Sequence, residues 1–371
     1  MVGSMNGTIY MPVGEVCSSI SDTYREKKNM VTLINTSDVL EGRVLNHERV
    51  PNSNLKGQFK KTFQRDDILY SEIRPQNRRF AYVDFSPIDY VASTKLMVIR
   101  AKKDVVSPKY LYYFLKNSST VAELQLLAET RSGTFPQITF SEVANLTIPV
   151  PSLAVQEVIV QTMQCLEDKI TCNEQINDNL QQQAQAIYSS MFIDNSESAW
   201  THGHLSDLVT VKYGKDHKKL SEGIYPVYGS GGIMRYVERP LYDKESVLIP
   251  RKGTLNNVMY VNQPFWSVDT MFYTEMKLPN VAKFVYHFVK AKDLASMNAG
   301  SAVPSMTTDI LNAMEVVIPS ASALEEFEAL VAPMYEAMEA NDVQSQALSK
   351  VRDTLLPKLM SGEIDVSSVL L

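Results

Sequence analysis

The sequence predicts a duplicated chain of mixed α/β (α+β) class. It comprises two globular domains, each followed by a long helix, with the two helices pairing antiparallel as a coiled coil. Three observations predict it: a repeat, an alternation of charge and two heptad patterns.

The repeat is literal. The stretch TFPQITFSEVANLTIPVPS (Thr134–Ser152) is matched by AVPSMTTDILNAMEVVIPS (Ala302–Ser320) at an offset of 168 residues. Pro136, Thr139, Pro151 and Ser152 recur as Pro304, Thr307, Pro319 and Ser320. The apolar positions recur with them: Ile138 as Met306, Leu146 as Met314, Ile148 as Val316 and Val150 as Ile318.

Charge follows the same division. Residues 1–150 carry 19 basic and 15 acidic side chains, and residues 151–199 carry 1 and 7. Residues 200–318 carry 13 and 11, and residues 319–371 carry 3 and 9. A net charge of −6 therefore hides a basic, acidic, basic, acidic order. It sets the expected boundaries: globular domains at 1–150 and 195–319, helices at 151–194 and 320–371.

Each acidic segment opens as a helix should. Ser152 and Ser320 suit an N-cap, and Glu157 and Glu325 follow in the early turns, where the helix dipole favours acids. Apolar residues then keep a heptad: Ile159, Met163, Leu166, Ile170, Leu180, Ala184, Ile187 and Met191. In the second helix the same positions hold Phe327, Val331, Met334, Met338, Leu348, Arg352, Leu355 and Leu359. These are a and d positions of a coiled coil. The mid-seam positions are polar in both helices, Asn173 and Asn177 in one, Asn341 and Ser345 in the other. Antiparallel pairing with facing numbers summing to 518 sets Asn177 against Asn341, Asn173 against Ser345, Ile187 against Val331 and Ile159 against Leu359. It leaves one poor match, Leu166 against Arg352. Pro333 and Pro357 predict a kink or irregular ends in the second helix. From Ile159 to Met191 the pair would span about 48 Å, a ruler between two basic domains.

The domains themselves read as short strands, turns and a helix. In the first, DDILYSEIRP (Asp66–Pro75), FAYVDF (Phe80–Phe85) and TKLMVIRA (Thr94–Ala101) predict strands, and Ser107–Glu129 predicts one helix. In the second, SVLIPRKGT (Ser246–Thr254), NVMYVN (Asn257–Asn262), VDTMFYT (Val268–Thr274) and a helix over Asn280–Ser296 repeat that order. EIRPQNRR (Glu72–Arg79) aligns with PRKGTLNN (Pro250–Asn257).

Basic residues gather on one stretch of each domain. In the first they are Lys56, Lys60, Lys61, Arg65, Arg74, Arg78 and Arg79, with Arg131 further on; in the second, Lys212, Lys215, Lys218, Lys219, Arg235, Arg251 and Lys252. Tyr70, Tyr82, Tyr213, Tyr225, Tyr228 and Tyr236 are interleaved. The turn YGSGG, with Ser230 and Gly231, lets backbone approach a ligand. Lys and Arg neutralise phosphates, and Arg, Asn and Ser read base edges. Singly, each charge is a solvated surface group and most of the tyrosines are core. Two basic domains on one acidic pair make duplex DNA the better joint reading.

The sequence excludes several alternatives. No apolar run approaches the ~20 residues of a membrane span, and there is no adenine-methyltransferase D/N-P-P-Y/F motif and no phosphate-binding G-x-x-x-x-G-K-[ST] loop. Asp269 followed by Glu275 and Lys277 is a weak nuclease-like spacing, and a turn reading fits GSGG better than a dinucleotide fingerprint. Cys17, Cys165 and Cys172 lack metal-ligand spacing, which predicts a reduced, cytoplasmic setting and no metal. His202 and His204 read as linker residues. The opening MVGS reads as a leader or an expression scar. From the residues alone, a stand-alone bipartite DNA-binding regulator and a coiled-coil scaffold stay open beside a partnered DNA reader.

DDILYSEIRP with FAYVDF, the doubled block ending NLTIPVPSLAVQE, YPVYGSGG and the closing LLPKLMSGEI together resemble one family across essentially the whole chain. It is that of the DNA specificity subunits of Type I restriction–modification systems. The resemblance implies two target-recognition domains reading a split DNA site, and no catalysis or cofactor in this chain. It further implies two partner methylation subunits that use S-adenosylmethionine, and optional restriction subunits that use ATP and Mg.

Overall fold

The computed structural model describes residues 8–26, 28–52, 57–131, 135–297 and 305–366. Lys56 and Pro304 lie outside the described residues, as do the opening MVGS and the side chain of Arg131. The chain forms two compact units, one of residues 1–172 with 343–371, the other of residues 173–342. Each unit contains one globular domain and part of each long helix.

In the first unit the strands that matter here are β1 (Ile9–Pro12), β2 (Cys17–Ile20), β3 (Ile68–Ser71), β4 (Phe80–Tyr82), β5 (Leu96–Ala101) and β6 (Thr147–Val150). A four-stranded antiparallel sheet runs β2-β5-β3-β4. All four residues of β3, Ile-Leu-Tyr-Ser, are buried, which is why it reads as a continuous apolar run rather than an alternation. Strand β1 pairs with β6, tying the start of the domain to its end. A second sheet, from Met30–Ile34, Val50–Pro51, Phe59–Lys61 and Tyr90–Ser93, shares a core with the main sheet around Ile34, Phe63, Leu69 and Val98.

The helices of this unit that matter here are α1 (Pro108–Lys116), α2 (Ser118–Arg131) and the first part of α3 (Leu153–Ser189). The single helix expected over Ser107–Glu129 is therefore two. The backbone turns extended at Asn117, with φ −57° and ψ 138°. The Asn117 side chain accepts from the Ser119 amide at 3.2 Å, so it caps the second helix while ending the first.

The second unit repeats the plan with β7 (Thr201–His204), β8 (Val209–Tyr213), β9 (Tyr225–Gly229), β10 (Gly232–Val237), β11 (Ser246–Pro250), β12 (Met259–Val261), β13 (Trp266–Ser267), β14 (Met271–Met276) and β15 (Glu315–Ile318). Its main sheet runs β8-β14-β11-β12, and β7 pairs with β15 as β1 pairs with β6. A smaller sheet runs β10-β9-β13. His202 and His204 are not linker residues: both lie in β7, and the His204 amide is capped by the Asp207 carboxylate at 2.8 Å. Helix α4 (Ala282–Lys290) follows, then α5 (Ala321–Ser361). Helix α5 continues unbroken through Pro333 and Pro357. Both prolines are exposed, so the carbonyls they leave without an N–H donor can turn to water. The irregular end falls instead after α3, in a π-turn at Ser190–Asp194.

Hydrogen-bond registers define the duplication better than sequence identity. The Val13 amide donates to the Leu146 carbonyl, and the Leu205 amide to the Met314 carbonyl, both at 2.8 Å. Ile73 bridges Gln137, and Lys252 bridges Ser305. The offset between copies thus falls from 192 (Val13 to Leu205) through 179 (Ile73 to Lys252) to 168 (Leu146 to Met314). The first copy holds extra chain between its strands. These registers also correct the alignment of the two loops by one residue: Ser71, not Glu72, is the counterpart of Pro250, since Ser71 faces Leu96 and Pro250 faces Met271 at the matching end of the ladder.

Candidate nucleic-acid interface

In the first unit the chain between β3 and β4 is a rigid turn. Pro75–Asn77 form one 3-10 turn, bracketed by Arg74 at φ 43° and Arg78 at φ 51°. The Ile138 amide bonds the Glu72 carbonyl at 2.8 Å and the Arg74 amide bonds the Pro136 carbonyl at 3.1 Å. The repeated sequence block thus serves as a brace for this loop. The basic residues of the first domain divide into two kinds. Arg78 donates to the Ser118 hydroxyl at 2.8 Å, and Arg79 to the Ser37 carbonyl at 2.9 Å. Lys61 donates to the carbonyls of Thr94 and Leu96 at 3.1 and 2.8 Å, and burial lowers its pKa. Lys60, Arg65 and Arg74 are exposed. Beneath the surface, Arg100 forks onto the buried carboxylate of Asp67 with two 2.7 Å bonds. Lys103 and the Tyr82 hydroxyl hold the Asp66 carboxyl below its usual pKa.

In the second unit two loops meet. The Asn257 amide group donates to the Ser230 carbonyl at 2.7 Å. A Cβ added at Gly253, whose φ is 85°, would lie 2.7 Å from the Ser230 hydroxyl; the approach requires glycine. Around Gly231, by contrast, a Cβ would meet nothing within 4 Å. Arg251 stands over the Tyr213 ring at 5.3 Å, and its neighbour Lys252 is exposed. Arg235 donates to the Leu220 carbonyl at 2.9 Å, which braces β10. Lys215, Lys218 and Lys219 are exposed along one connecting segment, and Lys212 approaches Glu275 at 3.9 Å. Tyr70 and Tyr228 are core residues, whereas Tyr213 and Tyr236 are exposed by 50% and 44%.

The helices carry the expected polar layer. Asn341 donates to the Asn177 side-chain oxygen at 2.8 Å, and Asn177 donates to the Met338 carbonyl and to Asp342. Asn173 donates to the Asn341 carbonyl at 3.3 Å. In the first unit Ile159 and Met163 share a core with Leu355, Leu356, Leu359 and Met360. In the second, Ala184, Ile187 and Tyr188 share one with Phe327, Val331, Tyr335 and Met338. Ile170, Leu180, Ser345 and Leu348 are half-buried.

The buried stripe is wider than a two-residue seam because each helix also packs on its domain. Sequence reasoning missed that second contact. Tyr113 of α1 donates to Glu167 of α3 at 2.9 Å, and Lys116 pairs with the same carboxylate. In the other copy the His287 Nε2 meets the Tyr335 hydroxyl at 2.9 Å, and its Nδ1 meets the Gln185 side-chain oxygen at 2.8 Å. Glu167 and Tyr335 are themselves 168 residues apart, the repeat's own offset, which was the available signal. Arg352, the poor seam residue, bonds Asp353 at 2.8 Å and lines a charged cavity of about 100 Å³ with Glu41, Arg78, Lys116 and Glu167.

The sequence profile described as the Type I restriction modification DNA specificity domain matches residues 10–182 and 197–326. The chain belongs to that family. It is 27% identical over 444 aligned positions to the HindI specificity subunit of Haemophilus influenzae, covering 90% of this chain and 94% of the relative. It is 25% identical to the MjaIX specificity subunit of Methanocaldococcus jannaschii, covering 76% and 77%. A crystal structure of the Type I S subunit from M. genitalium shares the fold, with a TM-score of 0.58 at 18% identity over 97% of this chain and 98% of that one.

Specificity subunits are the DNA-recognition, non-catalytic part of their systems. Among the described residues, no cluster of three His, Cys, Asp or Glu could hold a metal ion, and no helix is long and apolar enough to cross a membrane. Cys165 and Cys172 are exposed; Cys17 is buried, and its thiol is pushed up to about 12 by that burial.

Proposed function

We propose that this chain reads a split duplex target, each recognition domain contacting one half-site, and that two methylation subunits bind it to modify adenine there. S-adenosylmethionine belongs to those partners, and ATP and Mg to any restriction subunits that join. The observation that carries this reading is one scaffold presented twice with different loops: the same brace holds a turn rich in arginine at 74–79 and a glycine-containing one at 253–258. Unlike loops on like scaffolds select unlike half-sites. Lys60, Arg65, Lys215, Lys218, Lys219 and Lys252 are exposed and suit phosphates, while Arg74, Arg251 and the Ser230–Gly231 turn suit base edges. Arg131 stays a candidate on sequence alone.

The test is the map of adenine methylation in cells expressing the complete system. Two unlike half-sites separated by a fixed unread spacer are expected; a single continuous site would overturn the reading. Helix length should set that spacer. Matched seven-residue insertions after Glu174 and before Asn341 add about 10 Å of helix, and should lengthen the spacer by about three base pairs without changing either half-site.

A further inference from the structure

The turn between β3 and β4 holds its backbone at an energetic cost that its counterpart avoids. At the 179-residue offset, Arg74 (φ 43°) occupies the place of Gly253 (φ 85°). A left-handed conformation is free for glycine and costly for a residue with a Cβ. An arginine kept at such a position has its side chain to justify it, and non-glycine residues held there cluster at functional sites.

The turn is also fixed from behind. The Gln76 amide bonds the side-chain oxygen of the buried Gln125 at 3.1 Å, and Gln125 in turn donates to Glu129 at 2.7 Å. The Asn77 and Arg78 amides close the turn on the carbonyls of Arg74 and Pro75, both at 2.9 Å. With Arg78 and Arg79 bonded to the domain itself, the exposed polar side chains of the turn are Arg74, Gln76 and Asn77. The Arg74 guanidinium lies over the Phe135 ring at 5.9 Å. A cation held over a ring face is anchored without spending its hydrogen-bond donors.

We propose that Arg74, Gln76 and Asn77 are base-reading residues of the first domain, aimed at purines in the major groove. Arginine pairs in bidentate fashion with guanine O6 and N7, and Gln and Asn with adenine N6 and N7. The second domain lacks this trio. Gly253 has no side chain, Leu255 is 2% exposed, and Asn256 is taken up by Asp293 and the Ala295 amide. The inference rests on the split-target reading above and names the residues that read one of its halves.

The test compares Arg74→Gly, Arg74→Lys, Gln76→Ala and Asn77→Ala in the complete complex, by methylation mapping and by melting of the complex. Arg74→Gly should melt no lower than the parent, because it relieves the left-handed strain. It should also lose selection at one base of a single half-site, with discrimination there falling about 5- to 150-fold. Arg74→Lys should lose the same selection with the salt dependence of binding kept, since the charge remains but the fork does not. Gln76→Ala and Asn77→Ala should each relax a different base of that half. Parental selectivity in all four variants would overturn the inference while leaving the split-target reading intact. So would a drop in melting temperature in Arg74→Gly with both half-sites weakened alike, because the turn would then be only a structural support. A parent complex without a two-part motif would sink the split-target reading first.

Discussion

Asn341 of α5 donates to the side-chain oxygen of Asn177 on α3 at 2.8 Å, and their numbers sum to 518. A polar pair in an apolar seam fixes register, because any slip leaves both amides facing methyl groups. A double-mutant cycle on Asn177→Ala and Asn341→Ala should therefore give a coupling of about 0.5–1.5 kcal/mol in denaturant unfolding. Additive losses would show that the two amides do not act together.

His287 should make stability fall in mild acid. It is fully buried between Gln185 and Tyr335, and burial lowers its pKa from 6.5 to about 4. The unfolded chain takes up a proton below pH 6.5 and the folded chain does not until about pH 4. In that window the native state loses about 1.4 kcal/mol per pH unit, and stability returns as pH rises through it. His287→Gln should flatten that part of the stability-against-pH curve; an unchanged slope would assign it to other groups.

Lys61 and its neighbours should separate in experiment. Replacing Lys61 by Met removes a charged donor from two carbonyls, with an expected loss of about 1–3 kcal/mol in stability and little change in the salt dependence of DNA binding. Replacing Lys60 and Arg65 by Ala should do the reverse, lowering the salt slope by about one unit per lost phosphate contact. A Lys61→Met complex that is fully stable but binds with a reduced slope would exchange these roles.

The Asp67–Arg100 fork should matter to folding rather than to DNA. The Asp67 side chain is 1% exposed and that of Arg100 31%, and the Gln64 amide also donates to Asp67 at 2.8 Å. Asp67→Asn turns one acceptor oxygen into a donor facing an arginine, at a cost of about 1.5–3 kcal/mol. Thermal unfolding of the parent and variant would measure it, with half-site selection expected to stay the same.

How much of this was legible in the sequence depended on the kind of signal. The polar layer of Asn177 and Asn341 was legible because amides interrupting a heptad are rare and costly. Two central strands were legible because Ile68–Tyr70 and Val247–Ile249 are buried on both faces and read as unbroken apolar runs. The break at Asn117 was missed because neither proline nor glycine marks it; its signal was the run Asn-Ser-Ser-Thr, whose side chains compete for backbone groups. The one-residue error in aligning the loops arose where identity is lowest, and only ladder registers could correct it. The exposed basic residues could be listed, but nothing in their spacing separates Lys60, which faces solvent, from Lys61, which folds back onto carbonyls.

The two compact units also differ in when they can be completed during synthesis. The second is one uninterrupted stretch, residues 173–342, whereas the first needs residues 343–371 as well as 1–172. On a ribosome the second can close while the first still waits, with Ile159, Val160 and Met163 lacking Leu356, Leu359 and Met360, their partners in the core. The domain made first is thus the last to be finished, and a stalled or clipped chain would display that apolar stripe to whatever surveys unfinished proteins.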